Sequence, residues 1–448
     1  MKSKQLLRLV PVLFSLLLLT SCVSYADHSD VYAQLRSGGY EGARDYLEEE
    51  KSVLYTEHDQ VLYDIDSGIL SHYAGDWKYS NERLSDGEQL IEYYYSKSIS
   101  QSIMSWIEND NVKDYDGDDY EDIYTNLFMA LNYIHMDEIE DAFVEIRRFD
   151  NKQKALSTRY AAELEEARNE IRSNGAANNA SYEATTLSFN NSALARYLSM
   201  ILYRSSGKAD DARIDYDQIQ LAFKSQQQLY QFPVPSSLED ELNVPKGMAR
   251  LNVLGFSGMA PLKVEDVLRV ENDIGTYFKL ALPVMIPRGS AVSTIHVTAS
   301  GEDGEKYSTR LERLESIESI AMDTFGQKQA LIFSRTFARA LIKSVSTSVA
   351  YGAADEFKSN NNSEMALLFD LIGLASQIHT EVSEQADVRT TQYFPAYADV
   401  GGMTVKPGIY SVQVEFLNAN GQIIGSEVFN DVEVVENGIN LVEAVCLQ

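Results

Sequence analysis

The sequence predicts a multidomain α and α+β protein: an array of α-helical hairpins, then a C-terminal α+β domain built on a β-sandwich or small antiparallel sheet. Three observations lead there. Apolar residues recur at helical spacing through Tyr230, they alternate at strand spacing in several segments after Lys246, and Pro233, Pro235 and Pro245 crowd the interval between. At 448 residues the chain also exceeds one ordinary core. The divisions are residues 1–21 as a signal peptide, 22–230 as helical repeats, 231–246 as a proline-rich linker and 247–448 as the mixed domain.

At the start, Lys2, Lys4 and Arg8 precede an apolar run from Leu9 to Leu19, a pattern of export rather than of a permanent span. The residues Leu19-Thr20-Ser21-Cys22 resemble a bacterial lipobox. That resemblance implies cleavage before Cys22, a diacylglycerol on its sulfur and an acyl group on its amine, several chains anchoring stably where one would be marginal. A plain secretory signal with an incidental cysteine is the other reading. Val23 stands where many inner-membrane lipoproteins carry aspartate, so an outer-membrane anchor facing the periplasm is expected. The only other cysteine is Cys446, too few for a disulfide framework.

Tyr120 to Gln153 reads as two helices folded back at Met136-Asp137-Glu138. The first is apolar almost all round, through Ile123, Leu127, Phe128, Met129, Leu131 and Ile134, and so needs cover on more than one side. The second keeps Ile139, Ala142, Phe143 and Ile146 on one face and charges, Glu145 and Arg148 among them, on the rest. Four segments share a break followed five positions later by a small residue: Gly38 with Ala43, Gly75 with Ser80, Asp137 with Ala142, and Gly207 with Ala212. Gly68, Ala130 and Met200 lie seven positions before three of the breaks, with Ser71, Tyr133 and Tyr203 three positions on. This phasing resembles tetratricopeptide repeats; a generic array of helical hairpins is the alternative, and either predicts a curved stack. Should Leu127, Phe128 and Leu131 line an open concave face, that face becomes a partner contact.

Residues Asn151 to Arg172 continue as a polar helix, and 173–181 read as a flexible break. In the C-terminal half, Ala249–Phe256, Thr276–Val284, Val292–Ala299, Tyr410–Leu417, Gln422–Phe429 and Leu441–Cys446 read as strands, with Asn418 to Gly421 as a hairpin turn. Two helices, Phe325–Tyr351 and Ser363–Glu384, lie between the β blocks. In the first of them Arg335, Arg339 and Lys343 form a cationic stripe, either paired with the protein's own acids or a docking face for an acidic partner.

Chemistry is harder to find. The 67 acids against 38 bases, a formal charge of −29, argue against nucleic acid as a partner, because phosphate binding needs clustered lysine and arginine. The six histidines are scattered, and neither a Walker loop nor a dinucleotide fingerprint is present. The acidic stretch Glu108 to Asp122 fails as a calcium loop, because from Asp114 the sixth and twelfth places hold Asp119 and Thr125. It reads as a solvated loop whose last acids suit a helix N-terminus. Gly255-Phe-Ser-Gly-Met259 lacks the second glycine of a nucleophile elbow and reads as a strand-ending turn. No catalytic residue, metal site or small-molecule cofactor is assigned.

Four stretches in order, the loop Tyr115–Glu121, the hairpin ALNYIHMDEIEDAFVEIRR, the helix SRTFARALIK and ADVRTTQYFPAYADV followed by VKPGIYSVQVEF, are similar to an uncharacterised family of bacterial envelope lipoproteins with tetratricopeptide-like repeats. The resemblance covers most of residues 110–417 and departs at Met136, where glycine is usual. It implies tethering in the envelope and offers no catalytic residue to carry over; the helical repeats lead to the expectation of a scaffold or adaptor, not an enzyme, with envelope proteins as partners and the membrane reached through the lipid. A cell-wall-processing enzyme or its activator, and a subunit of a secretion or pore complex, are the alternatives.

Overall fold

The computed structural model describes residues 27–37, 39–100, 113–162, 164–165, 169, 187–271, 277–336 and 386–448. The expectations for Cys22 and the signal segment, Gly38, the flexible break at 173–181, Arg339, Lys343 and the helix Ser363–Glu384 lie outside these residues.

Helices pair as the phasing predicts. They are α1 (Ser29–Arg36), α2 (Tyr40–Glu49), the single turn α3 (Lys51–Leu54), α4 (Gln60–Tyr73), α5 (Trp77–Ser100), α6 (Asp119–His135), α7 (Ile139–Ala155), α8 (Ala193–Ser205) and α9 (Ala209–Ser225). Three hairpins turn in the same way: Gly75, Asp137 and Gly207 take φ of 77°, 60° and 71°. In each the next N–H reaches back to the carbonyl five residues earlier: Asp76 to Ser71, Glu138 to Tyr133, Lys208 to Tyr203, at 2.8–2.9 Å. Gly39 to Gln34, at 3.0 Å, repeats the bond between α1 and α2. The small residues after the turns, Ala43, Ser80, Ala142 and Ala212, are buried where the helices cross. A Cβ on Gly68 would stand 2.6 Å from Leu84, and Ser80 Oγ donates to the Gly68 carbonyl at 2.7 Å, so this crossing is close.

The left-handed position of the third turn is held by Asp137, not by a residue at 136. A side chain there costs about 1 kcal/mol over glycine. Asp137→Gly is therefore expected to raise stability by about 1 kcal/mol; a denaturation midpoint that falls, at unchanged slope, would contradict this reading of the turn.

The polar helix expected over 151–172 instead breaks into a 3₁₀ turn at Leu156–Thr158. That break turns Arg159 back toward Asp119 and Asp122, 3.1 Å from each.

The strands are β1 (Ala249–Ser257), β2 (Leu262–Glu271), β3 (Tyr277–Ile286), β4 (Thr294–Gly301), β5 (Lys306–Arg310), β6 (Glu312–Ser316), β7 (Tyr397–Val405), β8 (Gly408–Leu417), β9 (Ile423–Val434) and β10 (Leu441–Cys446). They form a sheet of order β10-β1-β7-β6, a second of order β5-β4-β8-β9 and a separate β2-β3 ribbon. The second sheet is antiparallel, whereas β10 runs parallel to β1. A helix, α10, begins at residue 317 and is described to 336. Its buried Ile317, Ile320 and Ala321 start it eight residues before Phe325, where the sequence placed it.

β1 is buried along its whole length because both of its faces are covered. Leu251 and Val253 point into a core shared with Val297, Val412, Val414 and Phe416 of the second sheet. Leu254 and Phe256 point the other way, into a core continuous with the inner helices. The molecule is thus three-layered, helices on one sheet and that sheet on a second. The segment at 231–246, expected as a linker, runs over the surface and is docked on the helices and the first sheet through a few buried residues. Its 3₁₀ helix Ser236–Leu242 buries Leu238 and Glu241. Glu241 accepts from Arg250 Nε and from Asn252 Nδ2, each at 2.8 Å, and is ion-paired with Arg204 of α8.

Candidate functional site

In a stack of helix pairs the first helix of each pair faces inward, and α4, α6 and α8 do so here. Their inner face meets the first sheet and the extended segment that precedes β7. Phe128 of α6 stacks on Phe256 of β1 with ring centres 5.3 Å apart and meets Phe394 edge-on at 5.6 Å. Leu127, Phe128 and Leu131 are buried. The open concave face considered for them is therefore absent: the chain's own C-terminal half fills it, and these three residues are core.

That extended segment is held by carboxylates of two inner helices. Thr391 donates its N–H and its hydroxyl to Glu121 Oε1, both at 2.8 Å, and the Gln392 N–H donates to Asp66 Oδ1 at 2.7 Å. Tyr393 and Phe394, next in sequence, are fully buried. Burial pushes Asp66 up to about 8, against the opposing hydrogen bonds from Gln392 and Tyr55. Burial and then the Asp118 charge raise Glu121. Carboxylates shifted this way can serve as general acids, but Asp66 and Glu121 are enclosed and committed to neighbours.

The end of the acidic loop differs from its sequence reading. Asp118, Asp119, Glu121 and Asp122 are buried, not solvated. Asp118 caps α6 reciprocally with Glu121 and lies 2.8 Å from Lys263 and 3.3 Å from Lys328. Asp122 pairs with Lys152 at 2.6 Å, and Asp116 with Lys328 at 2.7 Å. Arg335, the described member of the cationic stripe, is one of the positive charges, after Lys328 and Lys263, that lower Asp116 against burial. Glu145, placed by its sequence on an outer polar face, is buried too and accepts from Asn126 Nδ2 at 2.7 Å. Ser257 ends β1, and Gly258 follows at φ 65°, so the near-elbow is the turn that its sequence suggests.

Two histidines that look scattered in sequence converge on one acid. Glu443 of β10 lies with Oε1 2.5 Å from His72 Nε2 and Oε2 3.0 Å from His135 Nε2. Asn132 donates its amide to Ser80 Oγ and Asn81 Oδ1, both at 2.8 Å, which turns its carbonyl toward His72 Nδ1 at 2.7 Å. His72 Nδ1 must then carry a proton, and so must Nε2 if it is to meet a carboxylate, so His72 is an imidazolium. Burial works against charge on both partners, yet the His72 charge overrides it and holds Glu443 down at about 2. His72 is raised in turn by Glu443, again against burial. His135 stacks on Trp77 at 4.8 Å. No local spacing links these residues, which stand 371 and 308 positions from Glu443.

On the outside of the array, α9 and the chain after it frame an open groove of about 640 Å³ whose lining mixes Leu221, Phe223, Tyr230, Phe232, Pro233 and Val234 with the polar Asp217, Gln220, Lys224 and Gln227. Phe223 and Tyr230 lie 4.7 Å apart, and Phe232 packs edge-on against Phe223 at 5.6 Å. The Tyr230 hydroxyl is drawn inward by buried Glu315, 2.8 Å away, leaving its ring toward the groove. Ile214 and Leu221, seven residues apart on α9, are 56% and 47% exposed. The sequence reading missed this groove because Phe232 and Pro233 lie in the segment it assigned to a linker.

Among the described residues, no group of three or more histidine, cysteine or carboxylate side chains is placed to hold a metal, and no helix is long and apolar enough to cross a membrane. Compared with protein families, curated proteins and solved structures, the chain matches none of them.

Proposed function

We propose that the protein is a membrane-tethered envelope lipoprotein, anchored through Cys22, that works as a scaffold or adaptor for another envelope protein. Its helical hairpins, tetratricopeptide-like in phasing, supply the interface, and the lipid concentrates them at the membrane. The supporting observation is the aromatic groove beside α9. A terminal helix of a repeat array ordinarily turns a polar face to water, yet α9 presents Ile214 and Leu221 next to a groove floored by Phe223 and Tyr230. With the inner face occupied, this outer surface suits an apolar partner segment.

Crosslinked cells provide the test. A specific envelope protein should co-purify with the wild type and be lost with Ile214→Asp plus Leu221→Asp, two exposed changes that leave the melting temperature nearly unchanged. Equal recovery from both would remove the groove from the account, and recovery of wall-polymer fragments instead would favour wall processing.

A further inference from the structure

We propose that one end of the molecule rests on the lipid bilayer: the outer side of α1, the loop at residues 286–293 and the β8–β9 hairpin. The inference rests on lipidation of Cys22 and adds to it the orientation of the folded body. Cys22 precedes Asp27 by five residues. Five residues, fully extended, reach at most about 18 Å, so the start of α1 cannot lie far from the headgroups.

Hydrogen bonds make this end one surface. Gln448 Nε2 donates to the carbonyls of Arg36, at the end of α1, and of Ile424, at the start of β9, both at 3.2 Å. The Gln448 carbonyl accepts from the Ala291 N–H at 2.9 Å and from Ser290 Oγ at 2.8 Å. Ser293 N–H donates to the Leu417 carbonyl at 2.7 Å, joining the loop to the end of β8. In the middle of α1, the Tyr32 hydroxyl accepts from Arg288 Nη1 at 3.3 Å, while Arg288 Nη2 donates to the Gln392 carbonyl at 2.7 Å, which fixes the loop beside that helix.

The chemistry of this surface suits an interface. Ile286 and Ile423 are 42% and 56% exposed, and Pro287 and Ala291 are exposed with them. Arg36 is exposed and long enough to carry its charge to headgroup level while its stem lies on apolar surface, whereas Arg288 is engaged inside the protein, holding the loop. Asp27 and Asp30 share this end, and the whole chain carries −29, so the surface does not seek anionic lipid unaided. The tether supplies the local concentration that lets a modest apolar face settle.

The mature full-length lipoprotein is reconstituted into phosphatidylethanolamine and phosphatidylglycerol vesicles, in a Cys446→Ala background, with a fluorophore on Ile286→Cys, Ile423→Cys or, on the last hairpin, Leu221→Cys. Intact mass reports lipidation of Cys22, and circular dichroism reports folding. Spin-labelled lipids are expected to quench the labels at 286 and 423 several-fold more than the label at 221. Equal quenching at all three positions on lipidated protein would overturn the orientation while leaving the anchor in place. An unmodified Cys22 would overturn the anchor and the orientation together.

Discussion

Replacing Phe128 by alanine is expected to destabilise the protein by about 3–5 kcal/mol, the range for truncating a large buried aromatic. The side chain is fully buried and stands at the meeting of α6, β1 and the segment before β7, against Phe256 and Phe394. Removing it leaves a cavity whose walls come from two layers, each held by its own hydrogen-bonded frame, so collapse of the cavity is limited. Chemical denaturation measures the loss. A change below about 1 kcal/mol, the size of a surface substitution, would mean that the layers do not press on one another there.

His72→Gln is expected to cost about 3 kcal/mol near pH 6, the order seen when one partner of a buried ion pair is removed. Glutamine can still hydrogen-bond to Asn132 and Glu443 but leaves the Glu443 carboxylate without its buried cation. The pH dependence identifies the cause. His72 is raised above its ordinary 6.5, so its contribution is complete below pH 6.5 and is lost as pH rises through the higher folded value. Glu443 is lowered from 4.5 to about 2, so its contribution is present above pH 4.5 and is lost as pH falls toward 2. The gap between wild type and variant should therefore be widest between pH 4.5 and 6.5 and narrow on both sides. A gap of constant size from pH 4 to pH 9 would show that packing, not charge, holds the clamp.

The helical layer was largely legible because its information is local. A break and a small residue five positions on describe a turn and a crossing that need nothing from elsewhere, as Gly207 and Ala212 illustrate. Asp137 and Ala142 follow the same rule, with a side chain in the left-handed position. β7 was not legible. It carries Gly401-Gly402 in mid-strand, where a Cβ at either position would come within 2.8 Å of the Leu311 or Arg250 side chain, so the glycines let other side chains cross the strand. β2 breaks its alternation at Glu265-Asp266 and Val267-Leu268, and its Lys263 is buried beside Asp118, against the usual tendency of lysine.

The acids were the least legible part. Asp118 to Asp122 look alike in sequence whether solvated or buried; what decides is the arrival of cations from other elements, Lys263 and Lys328 at Asp118 and Lys152 and Arg159 at Asp122. Glu443 is an ordinary strand glutamate until α4 and α6 bring His72 and His135 to it. The cover over Phe128 follows the same logic: periodicity predicts that α6 is enclosed, but only the three-layer packing identifies what encloses it.

That enclosure is the central claim, and hydrogen exchange of the wild type and Phe128→Ala tests it most directly. If the C-terminal half fills the inner face of the helices, amides of β1 and β7 should lose protection in the variant together with those of α6. Faster exchange confined to α6 and α7, with β1 and β7 protected as in the wild type, would contradict it.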